Sequence, residues 1–395
     1  MTASESCAIV GVGATEFSKN SGRSELRLAL EASMAALRDA GLEPEDADGF
    51  VTFDLDNSDP MAVARNLGVP ASTFFARSSL GGGSACASLG LATFAVETGR
   101  ASVVLCYRAM NERSEWRFGQ PASQASGGLQ RGIARSEYSD WSWFAPYGVG
   151  TDAARMAQSA RRYLHQYNAT SDAFGRVAVN QRHYAQSNPN AYFFGRPITL
   201  DDYHNSRMIA DPLRLFDCCQ ESDGSVAFVI TSLERARDLR QKPVQVLHTA
   251  QGMGPKPYGL ASPYVDNMAE AAETKILASQ LWKTTGLRPT DMDVASLYDH
   301  FSPAVLMQLE ALGFCGPGEA ADLVANGGLA IDGLIPTNTN GGQLSEAYVH
   351  GYNGIAEIVR QLRGTAVNQV PNAKLAVATS GPLIPSSGLV LAAAD

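Results

Sequence analysis

The sequence contains neither a long apolar run nor an excess of positive charge. No apolar segment approaches the roughly 18 residues that cross a bilayer, and the first residues, Met1 to Cys7, lack a basic segment followed by an apolar core. The 31 Lys and Arg are outnumbered by 40 Asp and Glu, so the formal net charge is −9, which repels a phosphate backbone. We therefore predict a soluble, cytoplasmic protein with no membrane span and no nucleic-acid partner.

Metal and dinucleotide motifs are also missing. The six Cys are not spaced like zinc ligands, and the six His include no HxxxH pattern. The adjacent Cys218 and Cys219 are unsuited to an ordinary disulfide, so we predict reduced thiols and no metal. Gly11 and Gly13 resemble the start of a dinucleotide fingerprint, but Glu16 stands where the third glycine belongs. We therefore expect no dinucleotide cofactor.

One pattern of elements occurs twice in the 395 residues. An apolar strand from residue 7 is followed by an amphipathic helix over 24–40, and a second helix of this kind covers 270–285. After each helix comes the pattern GLxPxDxD, at Gly41–Asp48 and at Gly286–Asp293, and then a short strand. This repetition indicates a duplicated α/β unit.

The later elements of the two units also correspond. In each half a glycine turn precedes a helix and then a buried strand: Gly81–Ser84, 85–99 and 102–107 in the first, Asn340–Gly342, 351–363 and 375–379 in the second. We predict an N-terminal half of residues 1–243 and a C-terminal half of residues 244–395. The two halves are expected to pair pseudo-symmetrically.

A long insertion, about residues 111–209, interrupts the first half. It is too long for a loop and is predicted to form a helical cap with helices over 152–167 and 173–187. Its aromatic residues are candidates either for the core of the cap or for the wall of a substrate pocket: Trp116, Phe118, Trp141, Trp143, Phe144 and Tyr147.

Several segments resemble the thiolase superfamily. These are Met208–Cys219 with Ser222–Ala227, Glu310–Cys315, and Pro336–Gly342. More narrowly, they resemble the sterol-carrier-protein-x type thiolases and the lipid-transfer-protein-like aldolases of bacterial steroid degradation. The resemblance covers nearly the whole chain and implies an α/β thiolase fold, with two pseudo-symmetric halves in αβαβα layers and a helical cap insertion.

The chain departs from a working thiolase at its nucleophile. The family places a reactive Cys at the N-terminus of a buried helix, where the helix dipole favours a thiolate. The resemblance aligns that position with Gly82 to Ser84, none of which is Cys. Cys86 would serve only if the helix began later than predicted; otherwise it is a buried core thiol. Ser84 is expected to be a helix N-cap, and the family's second Cys has no counterpart because Cys315 is the last one.

Two imidazoles expected from the family are replaced by phenols. The resemblance puts Tyr298 and Tyr348 in the two histidine positions, and each is followed two residues later by a histidine, His300 or His350. In extended backbone, residues two apart share a face, so we expect each histidine to assist its tyrosine; a solvated surface histidine is the alternative. A buried tyrosine is often only a packing residue, but two at corresponding loops favour catalysis. Asp299 is predicted to be structural.

The resemblance implies a retro-aldol carbon–carbon lyase. It would cleave a β-hydroxyacyl-CoA steroid side chain into a ring ketone, a 17-ketosteroid, and propionyl-CoA, without a covalent Cys intermediate. Tyrosine would be the general base, provided that a neighbouring cation lowers its pKa from about 10. The alternatives are an acyl-CoA thiolase that uses Cys86 and a non-catalytic acyl-CoA- or lipid-binding protein.

The expected ligands and partners follow from the same resemblance. The turns that carry Gly82, Gly83, Ser84, Gly341 and Gly342 are candidates for substrate binding. No cofactor is expected, and CoA enters only as part of the substrate thioester. A homodimer joined to a small OB-fold partner is implied. We predict that it dimerises through the first half, by an edge strand over 102–107.

Overall fold

The structure is a computed structural model that describes residues 7–394 except 80, 116, 118–143, 257–259, 261 and 263. The strands in this part of the chain are β1 (Cys7–Ala14), β2 (Gly49–Phe53), β3 (Phe74–Ser78), β4 (Val103–Asn111), β5 (Met208–Ala210), β6 (Leu213–Arg214), β7 (Asp223–Ser232), β8 (Val244–Gly252), β9 (Val294–Ser296), β10 (Leu375–Ser380) and β11 (Ser386–Ala393). The α-helices are α1 (Glu25–Ala40), α2 (Pro60–Leu67), α3 (Ser84–Glu97), α4 (Asp152–Tyr167), α5 (Asp172–Ser187), α6 (Leu200–Asn205), α7 (Leu233–Ala236), α8 (Ala272–Thr285), α9 (Ser302–Leu312), α10 (Ala320–Ala325), α11 (Gly342–Ser345) and α12 (Tyr352–Arg363).

The main sheet has the symmetry that the sequence repeat predicts. Its strand order is β3-β2-β4-β7-β1-β8-β11-β10-β9. The antiparallel strands β1 and β8 lie at the centre of the sheet. Next to β1 comes β7 and then the parallel pair β4 and β2. Next to β8 comes β11 and then the parallel pair β10 and β9. The strand β3 has a short counterpart in the second half, a parallel bridge between Ala295 and Thr337. The predicted pair of pseudo-symmetric halves is confirmed.

The helices complete five layers. Helix α1 packs on β1, β4 and β7 of the first half, and α8 packs on β8 and β11 of the second half. Helices α3 and α12 each contact strands of both halves, so they form the middle layer. A single buried cluster surrounds this middle layer and includes Cys86, Tyr298 and Tyr348. The central core and the candidate site therefore share one region of the molecule.

The repeated GLxPxDxD pattern has the same structure in both halves. Gly41 and Gly286 end their helices with left-handed φ angles of 76° and 71°, which glycine adopts at no steric cost. The final aspartates cap the next parallel strand: the Asp48 carboxylate accepts hydrogen bonds from the backbone N–H groups of residues 102 and 103 at 2.9 and 2.8 Å, and Asp293 accepts them from residues 374 and 375 at 2.8 and 2.9 Å. The pattern thus joins a helix end to a strand start.

Glycines 11 and 13 serve packing. A Cβ atom added at Gly11 would lie 2.1 Å from the carbonyl oxygen of Ala36, and one at Gly13 would lie 2.1 Å from that of Ala32. Both glycines therefore let α1 approach β1 closely.

Among the described residues, no helix combines the length and apolar character that crossing a membrane requires.

The insertion forms helices at the predicted places, α4 and α5, the second starting one residue earlier than predicted. It packs on the second half: the side-chain amide of Asn188 donates hydrogen bonds to the Asn340 carbonyl at 3.0 Å and to Glu346 Oε1 at 3.1 Å. Phe144 is buried and Tyr147 is exposed. The other four aromatic candidates, Trp116, Phe118, Trp141 and Trp143, lie outside the described residues.

The prediction that residues 102–107 form an edge strand is wrong. Strand β4 is hydrogen-bonded on both sides, to β2 and to β7. Strand β7 follows the insertion and returns to the free side of β4, a long-range pairing that the sequence of β4 does not reveal. The edge of the first half is β3, where the side chain of Phe75 is 79% exposed.

The contribution of the Asp293 carboxylate, which accepts two backbone N–H groups at the start of β10, can be tested with Asp293→Ala. Removing the carboxylate leaves two backbone N–H groups without their acceptor, so we expect a loss of about 1–3 kcal/mol in unfolding free energy. Urea denaturation followed by circular dichroism measures it, with Asp266→Ala, whose side chain is fully exposed, as the control. Equal denaturation midpoints for the two variants would show that the cap contributes nothing.

Candidate active site

The two tyrosines meet in the middle of the molecule. Tyr298 follows β9, and Tyr348 lies in the loop between α11 and α12. Their hydroxyl oxygens are 3.1 Å apart, within hydrogen-bond distance, and their rings are steeply inclined, at 74°. Tyr298 is 3% exposed and Tyr348 is 9% exposed. The structure thus brings together two phenols that are 50 residues apart in sequence.

The backbone of Tyr298 is fixed by Gln308, and its hydroxyl group lies against Gly82. Its N–H donates to Gln308 Oε1 at 3.2 Å, and Gln308 Nε2 donates to the Tyr298 carbonyl at 2.9 Å. A Cβ atom at Gly82 would lie 2.2 Å from the Tyr298 hydroxyl oxygen. The phenol therefore fills the space that a side chain at position 82 would need, in the turn where the thiolase resemblance expects the nucleophile.

Both histidines lie against their tyrosines, each with ring centroids 5.1 Å from the phenol. His350 adopts a left-handed φ of 50° rather than the extended backbone assumed from sequence. Its Nδ1 accepts a hydrogen bond from Arg108 Nε at 3.1 Å, so the neutral ring carries its proton on Nε2. Burial lowers the pKa of His300 to about 3 and that of His350 well below 6.5. Both imidazoles are buried and neutral, which excludes the solvated-surface alternative.

The residues behind His350 were not anticipated. Arg108 is buried on β4, with Nη1 3.2 Å from Asp56 Oδ2 and donating to the Ala109 carbonyl at 2.8 Å. The sequence does carry a signal, because an Arg interrupts an otherwise apolar strand and a buried charge needs partners. Arg108 fixes the ring orientation and tautomer of His350.

The expectation that a cation lowers the pKa of a tyrosine is wrong. Burial raises the pKa of both Tyr298 and Tyr348 well above 10, and the nearby Glu112 adds to the rise. The guanidinium of Arg108 is engaged by Asp56 and His350. Both phenols are therefore neutral near pH 7, and a neutral phenol can donate a hydrogen bond or, with a proton acceptor behind it, carry a proton.

A cavity of about 170 Å³ opens beside Tyr348. Its lining includes His300, Cys219 and Glu112, together with Thr151–Ala153 and Ile209 from later in the insertion. Glu112 was not predicted. It is 4% exposed, and its Oε2 has no hydrogen-bond partner among the residues that the structure describes. A carboxylate directly after an apolar strand is the signal that could have singled it out.

The predicted substrate-binding turns lie outside this cavity. Of the described residues that line it, none is Gly82, Gly83, Ser84, Gly341 or Gly342. The Ser84 hydroxyl donates to the carbonyls of Ser78 and Ser79 at 3.2 and 2.6 Å, while the helix N-cap is Gly83. The N-cap prediction for Ser84 is therefore wrong: the chain folds back so that these carbonyls compete for the hydroxyl.

The second glycine turn is held by Asp299. A Cβ atom at Gly342 would lie 2.0 Å from Asp299 Oδ2, and the carboxylate accepts the N–H of Gln343 at 2.7 Å. Burial raises the pKa of Asp299 to about 6. Asp299 is structural, as predicted, and it anchors the turn that leads to Tyr348.

Cys86 is not placed for nucleophilic attack. It is the third residue of α3 and fully buried, and its Sγ lies 3.6 Å from the carbonyl oxygen of Ala378. Burial raises the pKa of its thiol to about 12. Since the thiolate is the reactive form, these contacts support the interpretation of Cys86 as a core thiol.

Comparison with known proteins finds relatives that match nearly the whole chain. Residues 264–392 match the family described as thiolase C-terminal domain-like. The chain is 53% identical over 384 residues to the 17-hydroxy-3-oxo-4-pregnene-20-carboxyl-CoA lyase of Mycobacterium tuberculosis, covering 97% of this chain and 98% of that protein. It is 52% identical over 386 residues to the steroid side-chain-cleaving aldolase of Thermomonospora curvata, covering 98% and 97%.

Solved structures agree at the level of the fold. The Ltp2-ChsH2(DUF35) aldolase superposes with a TM-score of 0.92 at 51% identity, over 98% of both chains. Human mitochondrial 3-ketoacyl-CoA thiolase gives 0.71 at 16% identity, over 99% of both chains, which is a likeness of fold alone. Because the fold matches and more than half of the residues are identical over nearly the whole length, the chain belongs to the thiolase superfamily, in the branch of the steroid side-chain-cleaving aldolases.

Proposed function

We propose that this protein is a carbon–carbon lyase that cleaves a β-hydroxyacyl-CoA steroid side chain into a 17-ketosteroid and propionyl-CoA by a retro-aldol reaction. The observation that carries the proposal is the hydrogen-bonded pair of phenols, Tyr298 and Tyr348, beside a position 82 that has no side chain. Identity above 50% to two proteins named for this chemistry supports it.

The reaction needs proton transfer and charge stabilisation only. Removal of the hydroxyl proton lets the oxygen form a ketone while the Cα–Cβ bond breaks, and the released electron pair forms a thioester enolate. Protonation of the enolate carbon gives propionyl-CoA. No covalent enzyme intermediate forms, and no further cofactor takes part. CoA stays attached to the acyl fragment throughout, as part of the thioester. Hydrogen-bond donors around an enolate oxygen lower the barrier to such a step.

The proposed roles follow from the protonation states. One phenol accepts the substrate proton while it passes on its own, and the other returns a proton to the enolate carbon. His300 and His350 are neutral, so each offers a ring N–H to the developing oxyanion or to a phenol. A thiolase reaction through Cys86 is disfavoured by its burial and raised pKa, and no observation favours a protein that only binds acyl-CoA or lipid.

A homodimer is part of the proposal, with β3 as its contact in place of β4. In the described part of the chain, β3 is paired only with β2, which leaves one row of backbone groups open. Phe75 on this strand and Met61 on α2 are 79% and 71% exposed and border a groove of about 630 Å³. Pairing with a second copy across a two-fold axis would cover both the backbone and the apolar groove.

A small OB-fold partner and a cytoplasmic location complete the proposal. The two-component name of the Ltp2-ChsH2(DUF35) aldolase supports a complex with a second protein. CoA thioesters are intracellular metabolites, which supports the cytoplasm.

The reaction type is tested by incubating the protein with 17-hydroxy-steroid acyl-CoA thioesters, with and without free CoA. We expect ketone and propionyl-CoA in equal amounts in both reactions, because aldol cleavage consumes no CoA. Chromatography with mass spectrometry measures both products. Ketone release that requires CoA, or an acyl adduct on a cysteine, would establish thiolysis instead.

The phenols are tested by Tyr298→Phe and Tyr348→Phe. Each change removes a proton carrier and keeps the ring, so we expect turnover to fall about 10²–10⁴-fold, the usual worth of general acid–base catalysis, with little change in thermal stability. Cys86→Ala is the matched control and should retain turnover within about threefold. If both Phe variants keep wild-type turnover, the phenols are packing residues.

The dimer is tested by Phe75→Asp. A charge on the exposed face of β3 should prevent an apolar contact between copies, so light scattering should detect a dimer for the wild type and a monomer for the variant. Val367→Asp, at a half-exposed apolar position outside β3, is the control and should stay dimeric. A monomeric wild type at micromolar concentration would contradict the proposed contact.

A further inference from the structure

Glu112 is a buried carboxylate that no step above uses. It follows the last residue of β4, lines the cavity beside Tyr348 and is 4% exposed. Its Oε2 has no hydrogen-bond partner among the described residues. Buried polar atoms are normally paired, so an unpaired carboxylate oxygen at a cavity wall indicates that its partner is a bound molecule or a transferred proton.

Glu112 and Tyr348 are positioned by the same residue. The backbone N–H of Ser222 donates to the Glu112 carboxylate, and the Ser222 hydroxyl accepts the backbone N–H of Tyr348 at 3.2 Å. Ser222 is itself buried, just before β7. This shared contact ties the Glu112 carboxylate to the backbone of Tyr348, and both residues line the cavity.

The surroundings of Glu112 make its carboxylate a stronger base than that of an exposed glutamate. Burial raises its pKa well above 4.5, and the negative charge of Glu221 raises it further, while Lys19 and Arg108 oppose the rise. Glu221 is held by Arg117, with Nε to Oε2 at 2.7 Å.

The other groups at the cavity are weaker candidates. His300 is a weak base because burial lowers its pKa to about 3, and the thiol of Cys219 stays protonated because burial raises its pKa well above 9. Asp152 faces the cavity from the insertion; burial raises its pKa too, and Arg155 opposes the rise. The contact through Ser222 that ties Glu112 to Tyr348 favours Glu112 over Asp152.

We propose that Glu112 is the proton acceptor behind Tyr348 in the lyase reaction; this inference rests on the proposed function. As the substrate O–H bond breaks, its proton moves to the Tyr348 oxygen, and the Tyr348 proton moves to Glu112 Oε2, directly or through one water in the cavity. The alkoxide pair forms the ketone, and the Cα–Cβ pair forms the enolate.

The proton balance closes within the site. Tyr298 protonates the enolate carbon, and the proton held by Glu112 returns through Tyr348 to Tyr298 across their 3.1 Å hydrogen bond. No proton is consumed, and the enzyme regains its starting state. A neutral tyrosine can accept a proton only while it gives up its own. The Glu112 carboxylate supplies the acceptor that Tyr348 needs for this.

The test is the pH dependence of kcat for Glu112→Gln, in the full chain with its partner protein if the wild type requires one. Glu112 acts ionised, so wild-type kcat should fall as the pH drops through a value well above 4.5. The variant should lose about 10²–10⁴-fold in kcat and lose this acid limb, with KM and propionyl-CoA binding within threefold of wild type. Glu112→Asp should restore part of the turnover together with the limb.

Controls separate this inference from the proposed function. Glu115→Gln, an exposed carboxylate in the same turn, should behave as wild type. A Glu112→Gln variant within threefold of wild-type kcat, or an acid limb that survives in it and disappears in Asp152→Asn, would overturn the role of Glu112 while the lyase function stands. Failure of the wild type to release ketone would instead overturn the lyase function. If Glu112→Gln does not fold, judged by circular dichroism, the same decision rests on Glu112→Asp: a wild-type pH profile and turnover in that variant would overturn the role.

Discussion

The close contact between Gly82 and the Tyr298 hydroxyl is the constraint on which the candidate site depends. Any side chain at position 82 would overlap the phenol oxygen, which lies 2.2 Å from the position of a Cβ atom. A side chain at position 82 and the Tyr298 phenol therefore exclude each other. With Tyr298 in this space, Tyr348 reaches it from the neighbouring loop, and this pair is the basis of the proton transfer that we propose.

The two halves contribute different chemistry to this site. The second half supplies the phenols and their histidines. The first half supplies the glycine that admits Tyr298, the Arg108 that fixes the His350 tautomer, and the buried Glu112. This combination is possible because the β1–β8 pair places the two half-sheets on either side of the middle helices. The symmetry of the fold thus supports an asymmetric site.

Much of the fold could be predicted, because helical periodicity and the GLxPxDxD pattern are local. The bounds of α1 and α4–α5 follow from apolar spacing to within one residue, and the repeat identifies the duplicated unit. The neighbours of β4 could not be predicted, since its partner β7 follows about a hundred residues later. Arg108 and Glu112 were missed for the same reason: Arg108 acts on His350, 242 residues away. The direction of the phenol pKa shifts depends on burial and neighbouring charge, which one sequence does not contain.

The order of strands in the sheet has a consequence for folding during synthesis. Strand β7 lies between β1 and β4, and β11 lies between β8 and β10, so each half-sheet has a gap until its last strand is made. The first half can close once residue 232 has left the ribosome, whereas the second half waits for residues 386–393. Until then β8 and β10 each present an open edge, the kind of surface that pairs with other chains. In the first half β1 and β4 are open in the same way and for longer, because about 110 residues separate β4 from β7 whereas five separate β10 from β11. Unpaired strand edges therefore persist longest in the nascent first half.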